Sequence, residues 1–166
     1  MPASADETES FGRASKAKAD FNAIYVSPDP RAYCTLLAPL DYQIPQHGAD
    51  IFDRMLPMVS STGGVPTVLD LCSSYGFIGA LMRSDLTNSD VFGHYTEPAV
   101  AELSADELAA TDRVWLGEHR RPQPPRVIGL DASEPAVSYA DRSGLVDQAY
   151  AEDLEQDAAS ADLAAL

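Results

Sequence analysis

The stretch Thr67–Met82, TVLDLCSSYGFIGALM, decides the fold. Val68, Leu69 and Leu71 make an almost unbroken apolar run around Asp70. A strand with one wet face alternates, so this one is expected to be covered on both faces. A short polar turn follows, and then Phe77, Ile78, Ala80, Leu81 and Met82 with the packing character of a helix. A strand feeding a turn and a helix start is how chains present backbone N–H groups to phosphates and nucleotide-type cofactors. Glycine usually fills such turns, because the backbone must approach the ligand and some residues need positive φ. Here Cys72 and Ser74 occupy two of those places, and both are small enough for close approach. Gly76 keeps the conformational freedom, and Gly79 permits close helix–strand contact. Tyr75 either packs on an adenine or ribose or fills the interface with neighbouring helices.

Working outward, RVIGLDAS repeats the strand pattern with Val127, Ile128 and Leu130 and ends at Asp131. Ser133 stands as the N-cap of a helix over 134–142, with Pro135 in its first turn and Gly144 as its left-handed stop. A third strand is expected around Ala149–Ala151, with Asp153 just beyond it. Strand–helix alternation predicts an α/β fold with parallel pairing through right-handed crossovers. The long connection 85–126 holds a Ser104–Glu107 capping box that opens a helix to about Glu118, then a proline cluster. It is expected to be a mobile helical insert covering the ligand site. On the other side, residues 25–66 read as a helical cap. Its first helix starts at Pro30 and carries Tyr33, Leu36, Leu37 and Leu40, and its second carries Ile51, Phe52, Met55 and Leu56. Residues 1–24 read as a disordered tail, which leaves 67–166 as the cofactor-binding unit.

The chain has 166 residues, 45% of them hydrophobic, and a formal charge of −15 from 26 acidic and 11 basic residues. Phosphate backbones and anionic membranes reward clustered cations, so neither nucleic acid nor a membrane surface is the expected partner, and a small molecule is. No apolar run reaches the roughly 18 residues of a spanning helix, and the N-terminal residues lack the apolar core of a signal peptide. Cys34 and Cys72 make neither a disulfide framework nor a metal set, which points to the cytoplasm. No metal site is expected.

Three acids stand at or near successive strand ends: Asp70, Asp131 and Asp153. Asp131 is placed to accept hydrogen bonds from both hydroxyls of a ribose. VLDLCSSYGFIGALM, VIGLDASEPAVSYADRSGLV and AYAEDL together resemble the first three cofactor motifs of class I S-adenosylmethionine-dependent methyltransferases. The resemblance covers about residues 67–82 and 126–154, with a weaker likeness over 29–58 to the helical leader of bacterial members. It implies a doubly wound, Rossmann-like parallel sheet, S-adenosylmethionine as cofactor and a small-molecule methyl acceptor. Asp70, Cys72, Ser74, Tyr75 and Gly76 match the first motif, Asp131 the ribose-holding acid and Asp153 the acid near the adenine. Asp70 and Asp131 lie about 60 positions apart, against about 20 in the usual nucleotide-binding unit, and the insert accounts for the excess.

Two other readings stand beside this one. Ser74–Gly79 matches the dinucleotide fingerprint except at its first glycine, which would make the chain an NAD(P)-binding oxidoreductase fragment. Asp70 weighs against that, since an acid beside the turn suits a sulfonium and an ammonium better than a pyrophosphate. The family sheet has seven strands and only three are read here, so the chain resembles the first half of the domain. A non-catalytic binding or scaffold protein is therefore the second functional class. Such a half sheet leaves an open edge and is expected to self-associate there. No residue presents itself as catalytic: His47, His94, Tyr42, Tyr95 and Trp115 read as packing or surface groups, and Cys72 as small packing.

Overall fold

The computed structural model describes residues 22–59 and 64–166, so most of the 1–24 tail and part of the 60–66 linker lie outside the described residues. Three strands, β1 (Thr67–Leu71), β2 (Arg126–Asp131) and β3 (Gln148–Ala151), form an open parallel sheet in the order β1-β2-β3. β1 and β2 were legible as apolar runs, and β3 as a weaker strand around Ala149–Ala151. Val68 pairs with Val127, Asp70 with Gly129 and Asp131 with Ala151, which brings the carboxyl ends of β1 and β2 side by side. Among the described residues there are eight α-helices, and the chain is α/β.

Before the sheet come α1 (Asn22–Tyr25), α2 (Arg31–Leu37) and α3 (Ile44–Val59). Parallel strands need crossovers. α4 (Phe77–Arg83), α5 (Asn88–Thr96) and α6 (Ala105–Glu118) lie between β1 and β2, and α7 (Glu134–Ser143) lies between β2 and β3. α8 (Ala161–Ala164) follows β3. Gly79 does what its place predicts: a Cβ there would lie 2.9 Å from Val146 Cγ1 and 3.0 Å from Val127 Cγ1, so α4 sits directly on the strand layer. Gly144 ends α7 at φ 78°, as expected. Ser133 caps α7 by position only, because its hydroxyl donates to the Tyr25 carbonyl instead of accepting from the helix.

Two expectations fail. β1 is covered on one face only: Val68 and Asp70 are buried, whereas Leu69 and Leu71 are 41% and 60% exposed. An apolar run shows that a strand can be buried on both sides, not that a second layer covers it. The 85–126 connection is also more than a mobile cover. Val91, Phe92, Tyr95, Leu108, Ala109 and Leu116 are buried in the same apolar cluster as Val68 and Val127. A second capping box, Thr87 with Asp90, starts α5, a helix absent from the sequence reading. Its acid is Asp where Glu or Gln is usual. Tyr33 of α2 sits among Tyr25, Tyr42, Tyr75, Phe77 and Phe92, with ring centroids 5.5–6.1 Å away, so the cap shares this core.

One buried carboxylate ties the helices together. Asp112 of α6 is fully buried and accepts from Tyr95 Oη of α5 at 2.5 Å and Tyr139 Oη of α7 at 2.6 Å. His94 Nε2 lies 2.7 Å from its other oxygen, and the imidazole stacks on Trp115 at 4.1 Å. Three partners offset the cost of burying that charge. His94, Tyr95 and Trp115 thus belong to packing, as read from the sequence.

Candidate functional site

The turn after β1 has the backbone of a glycine loop without its glycines. Cys72 has φ 59°, Ser74 has φ 50° and Gly76 has φ 78°, so every second residue is left-handed. For a residue with a Cβ that conformation costs on the order of 1–2 kcal/mol. Strain of this kind persists where surrounding bonds over-determine it. Here the Ser73 N–H donates to the Leu130 carbonyl at 3.1 Å and the Gly76 N–H to the Ser73 carbonyl at 2.8 Å. The Ser74 N–H donates to Asp131 Oδ2 at 2.9 Å. Of these loop N–H groups only that of Ser74 reaches Asp131, so one charged hydrogen bond ties the loop to the end of β2. The other Asp131 oxygen accepts from the Ser133 N–H at 2.8 Å.

Asp70 lies on the same side of the sheet as Asp131, two steps earlier along the paired strands. It is 5% exposed, and its Oδ2 is buried with no hydrogen-bond partner among the described residues. Burial, and after it the negative Asp131, push its pKa up to about 6. Ser74 Oγ, in the turn that follows, is a second buried polar atom without a partner among the described residues. Native interiors leave few such atoms, and one at the end of β1 with another in the turn after it marks a place built to receive donors from elsewhere.

Beside the loop is a recess of about 150 Å³ lined by Cys72–Tyr75, Phe77 and Ile78, by Ile44 and Pro45 of α3, and by Tyr25, Tyr33 and Tyr42. Pockets for drug-sized ligands run to roughly 300–1,000 Å³, so this one holds a portion of such a molecule. Among the described residues no histidine, carboxylate or amine lines it. Burial is the main cause that raises the pKa of Tyr25 and of Tyr33, so both are neutral phenols at ordinary pH. The recess offers aromatic faces and hydroxyls for binding and no ready proton acceptor.

The sequence-predicted residues divide. Asp70, Cys72, Ser74, Gly76 and Asp131 come together at the ends of β1 and β2. Tyr75 does not present its ring to a ligand: it is 1% exposed, and its hydroxyl donates to the carbonyls of Ile24 and Ser27. Of its two readings the interface one holds, because α1 and the following turn need a buried donor. Asp153 accepts the Glu155 N–H at 3.0 Å in a local turn. Ser73, Tyr25 and Tyr33 were missed. Ser73 had a signal in Gly129, since a glycine inside a strand marks close approach. A Cβ at Gly129 would lie 2.8 Å from Ser73 Oγ. No family model matches the chain, and neither a curated protein nor a solved structure matches it.

Proposed function

We propose that the chain binds S-adenosylmethionine at the turn after β1, in the manner of a partial Rossmann-like methyltransferase domain. The observation that carries this reading is the strained loop Cys72–Gly76 with the orphaned Asp70 carboxylate behind it. A buried, unpartnered acid next to a second acid makes the carboxyl ends of β1 and β2 negative, which favours a cationic ligand over an anionic one. S-adenosylmethionine carries both a sulfonium and an ammonium, and when bound it supplies an activated methyl group.

Asp70 and Ser74 Oγ fit donors from the amino-acid end of that ligand. Asp131 retains acceptor capacity, since a carboxylate has about four lone-pair sites and two N–H groups occupy it here. That capacity suits ribose hydroxyls. The tyrosine-lined recess suits a flat or cationic portion of the ligand. The dinucleotide alternative is disfavoured, because the Ser74 N–H is already spent on Asp131 and a pyrophosphate would face two acids. With no base in the recess, the residues of this chain bind and orient, and binding without turnover is the expected behaviour of the chain alone.

Calorimetric titration tests this with S-adenosylmethionine, its neutral thioether product S-adenosylhomocysteine, and NAD. The cationic form should bind tightest and NAD not at all. Equal binding of the two adenosyl compounds would remove the role given to the acids, and a preference for NAD would overturn the reading.

A further inference from the structure

At the far end of α4 from the loop, the carboxyl ends of α4, α6 and α7 converge on a recess of about 110 Å³. Arg83, Arg113 and Arg120 line it, together with Gly117, Ser143 and Gly144. Three of the 11 basic residues of a strongly acidic chain meet there. Arg83 is 7% exposed. Its Nη1 donates to the Gly144 carbonyl and its Nη2 to Asp147 Oδ1, both at 2.8 Å, while its Nε–H is buried without a partner among the described residues. Asp147 is shared, since Arg120 Nη2 lies 3.7 Å from the same oxygen and Asp147 Oδ2 accepts the Val127 N–H. Arg113 spends donors on the carbonyls of Asp141 and Arg142.

We propose that this recess binds a phosphate-sized oxyanion, held by Arg83 and Arg120 with Arg113 at its rim. The negative ends of three helices explain why arginines gather there. They do not explain the excess: two guanidiniums share one carboxylate, a third holds only carbonyls, and one buried N–H has no acceptor among the described residues. Burial lowers the Arg83 pKa most, and Arg120 and Arg113 lower it further against Asp147, so the site gains from an added negative charge. Guanidinium forks match tetrahedral oxyanions, and the volume suits one such group, either a free ion or the phosphoryl end of a larger molecule. Gly117 leaves the mouth open, because a Cβ there would meet nothing within 4 Å.

The test titrates inorganic phosphate into the full chain while the arginine Nε–H signals are followed in proton–nitrogen correlation spectra, with chloride at matched ionic strength as control. The Arg83 Nε–H should shift saturably with phosphate and not with chloride. Arg120→Gln should weaken binding roughly fivefold. Gly117→Leu should fold normally, since its side chain enters open space, and should abolish the response by filling the mouth. Glycerol phosphate binding at least as tightly as phosphate assigns the site to a phosphoryl group on a larger molecule, and weaker binding assigns it to the free ion. An Arg83 signal that stays still, or moves equally in chloride, overturns the proposal, as does a folded Gly117→Leu protein that still responds.

Discussion

Ser74, left-handed at φ 50°, gives its N–H to the Asp131 carboxylate at 2.9 Å, so the turn after the first strand is held by the end of the second. Asp131 also takes the Ser133 N–H at the start of α7. One carboxylate therefore sets both the loop and the helix entry, and its removal is a structural as well as a ligand-binding change. Asp131→Ala leaves two N–H groups without their charged acceptor. It should destabilise the fold by about 2–4 kcal/mol. Asp131→Asn keeps an acceptor and should cost about half as much. Urea unfolding measures both, and an unchanged midpoint for the alanine variant would remove the anchoring role.

The left-handed positions give opposite expectations within five residues. Cys72→Gly and Ser74→Gly each relieve strain and each add unfolded-state entropy, so each should be neutral or stabilising by up to about 1 kcal/mol. Gly76→Ala should destabilise by more than about 1 kcal/mol. It combines a φ of 78° with a Cβ placed 2.8 Å from Val146 Cγ1. Thermal unfolding of the three variants separates them, and a costly Ser74→Gly would show that the hydroxyl has a partner.

Asp70 carries the pH dependence. Its pKa of about 6 in the fold stands above the roughly 3.9 of an unfolded aspartate, so between those values the folded state holds the extra proton. Stability from this group is full below about pH 4 and is lost as pH rises through about 6, by up to about 3 kcal/mol. Asp70→Asn should therefore stabilise the protein at pH 8 and change little at pH 4. Ligand binding runs the other way: a cation next to Asp70 favours the carboxylate, so affinity for S-adenosylmethionine should fall as pH drops below about 6. Denaturant curves and titrations at the two pH values check the signs, and a variant no more stable than the parent at pH 8 refutes the assignment.

Much of this arrangement was legible in the chain. β1 to β3, Gly79, Gly144 and the Ser104–Glu107 box follow from local rules of apolar period, close approach and capping. The site was half legible. Asp70 and Asp131 could be read as strand-end acids, but the bond from Ser74 to Asp131 needs two segments more than fifty residues apart to meet. Tyr75 was read two ways for a similar reason. Whether a tyrosine hydroxyl meets a ligand or the carbonyls of Ile24 and Ser27 depends on tertiary contacts that no motif encodes.

Asp112 makes the helical layer testable. It joins α5, α6 and α7 through His94, Tyr95 and Tyr139, and removing it strands two buried hydroxyls. Asp112→Ala should cost about 3–5 kcal/mol. In the parent, amides of Val91, Phe92 and Leu108 should exchange as slowly as those of Val68 and Val127, since one apolar cluster contains them all. Fast exchange confined to 85–126 would restore the mobile cover expected from the sequence.

The edge of the sheet gives the last expectation. Among the described residues β1 has a neighbour on one side only, and Val65, Leu69 and Leu71 are exposed along it. α3 runs beside this edge, because Ile44 and Pro45 share a recess with Cys72–Ser74 while Leu56 and Pro57 share a groove with Pro66. On α3, Ile44, Ile51, Met55 and Met58 form an exposed apolar stripe. Seven large exposed apolar side chains, three along β1 and its lead-in and four on α3, exceed the scattered single ones of an ordinary surface, and such side chains mark interaction sites where they lie together. None of them is charged, so a second copy can approach despite the charge of −15. We propose that two copies pair about a two-fold axis through β1 and α3, each using the same patch. Leu69→Lys combined with Met55→Glu should yield a monomer whose unfolding midpoint at low concentration matches the parent, because neither side chain is buried in one copy. Sedimentation equilibrium decides the matter: a parent chain that stays monomeric as concentration rises, or a double variant that still dimerises, rules out this interface.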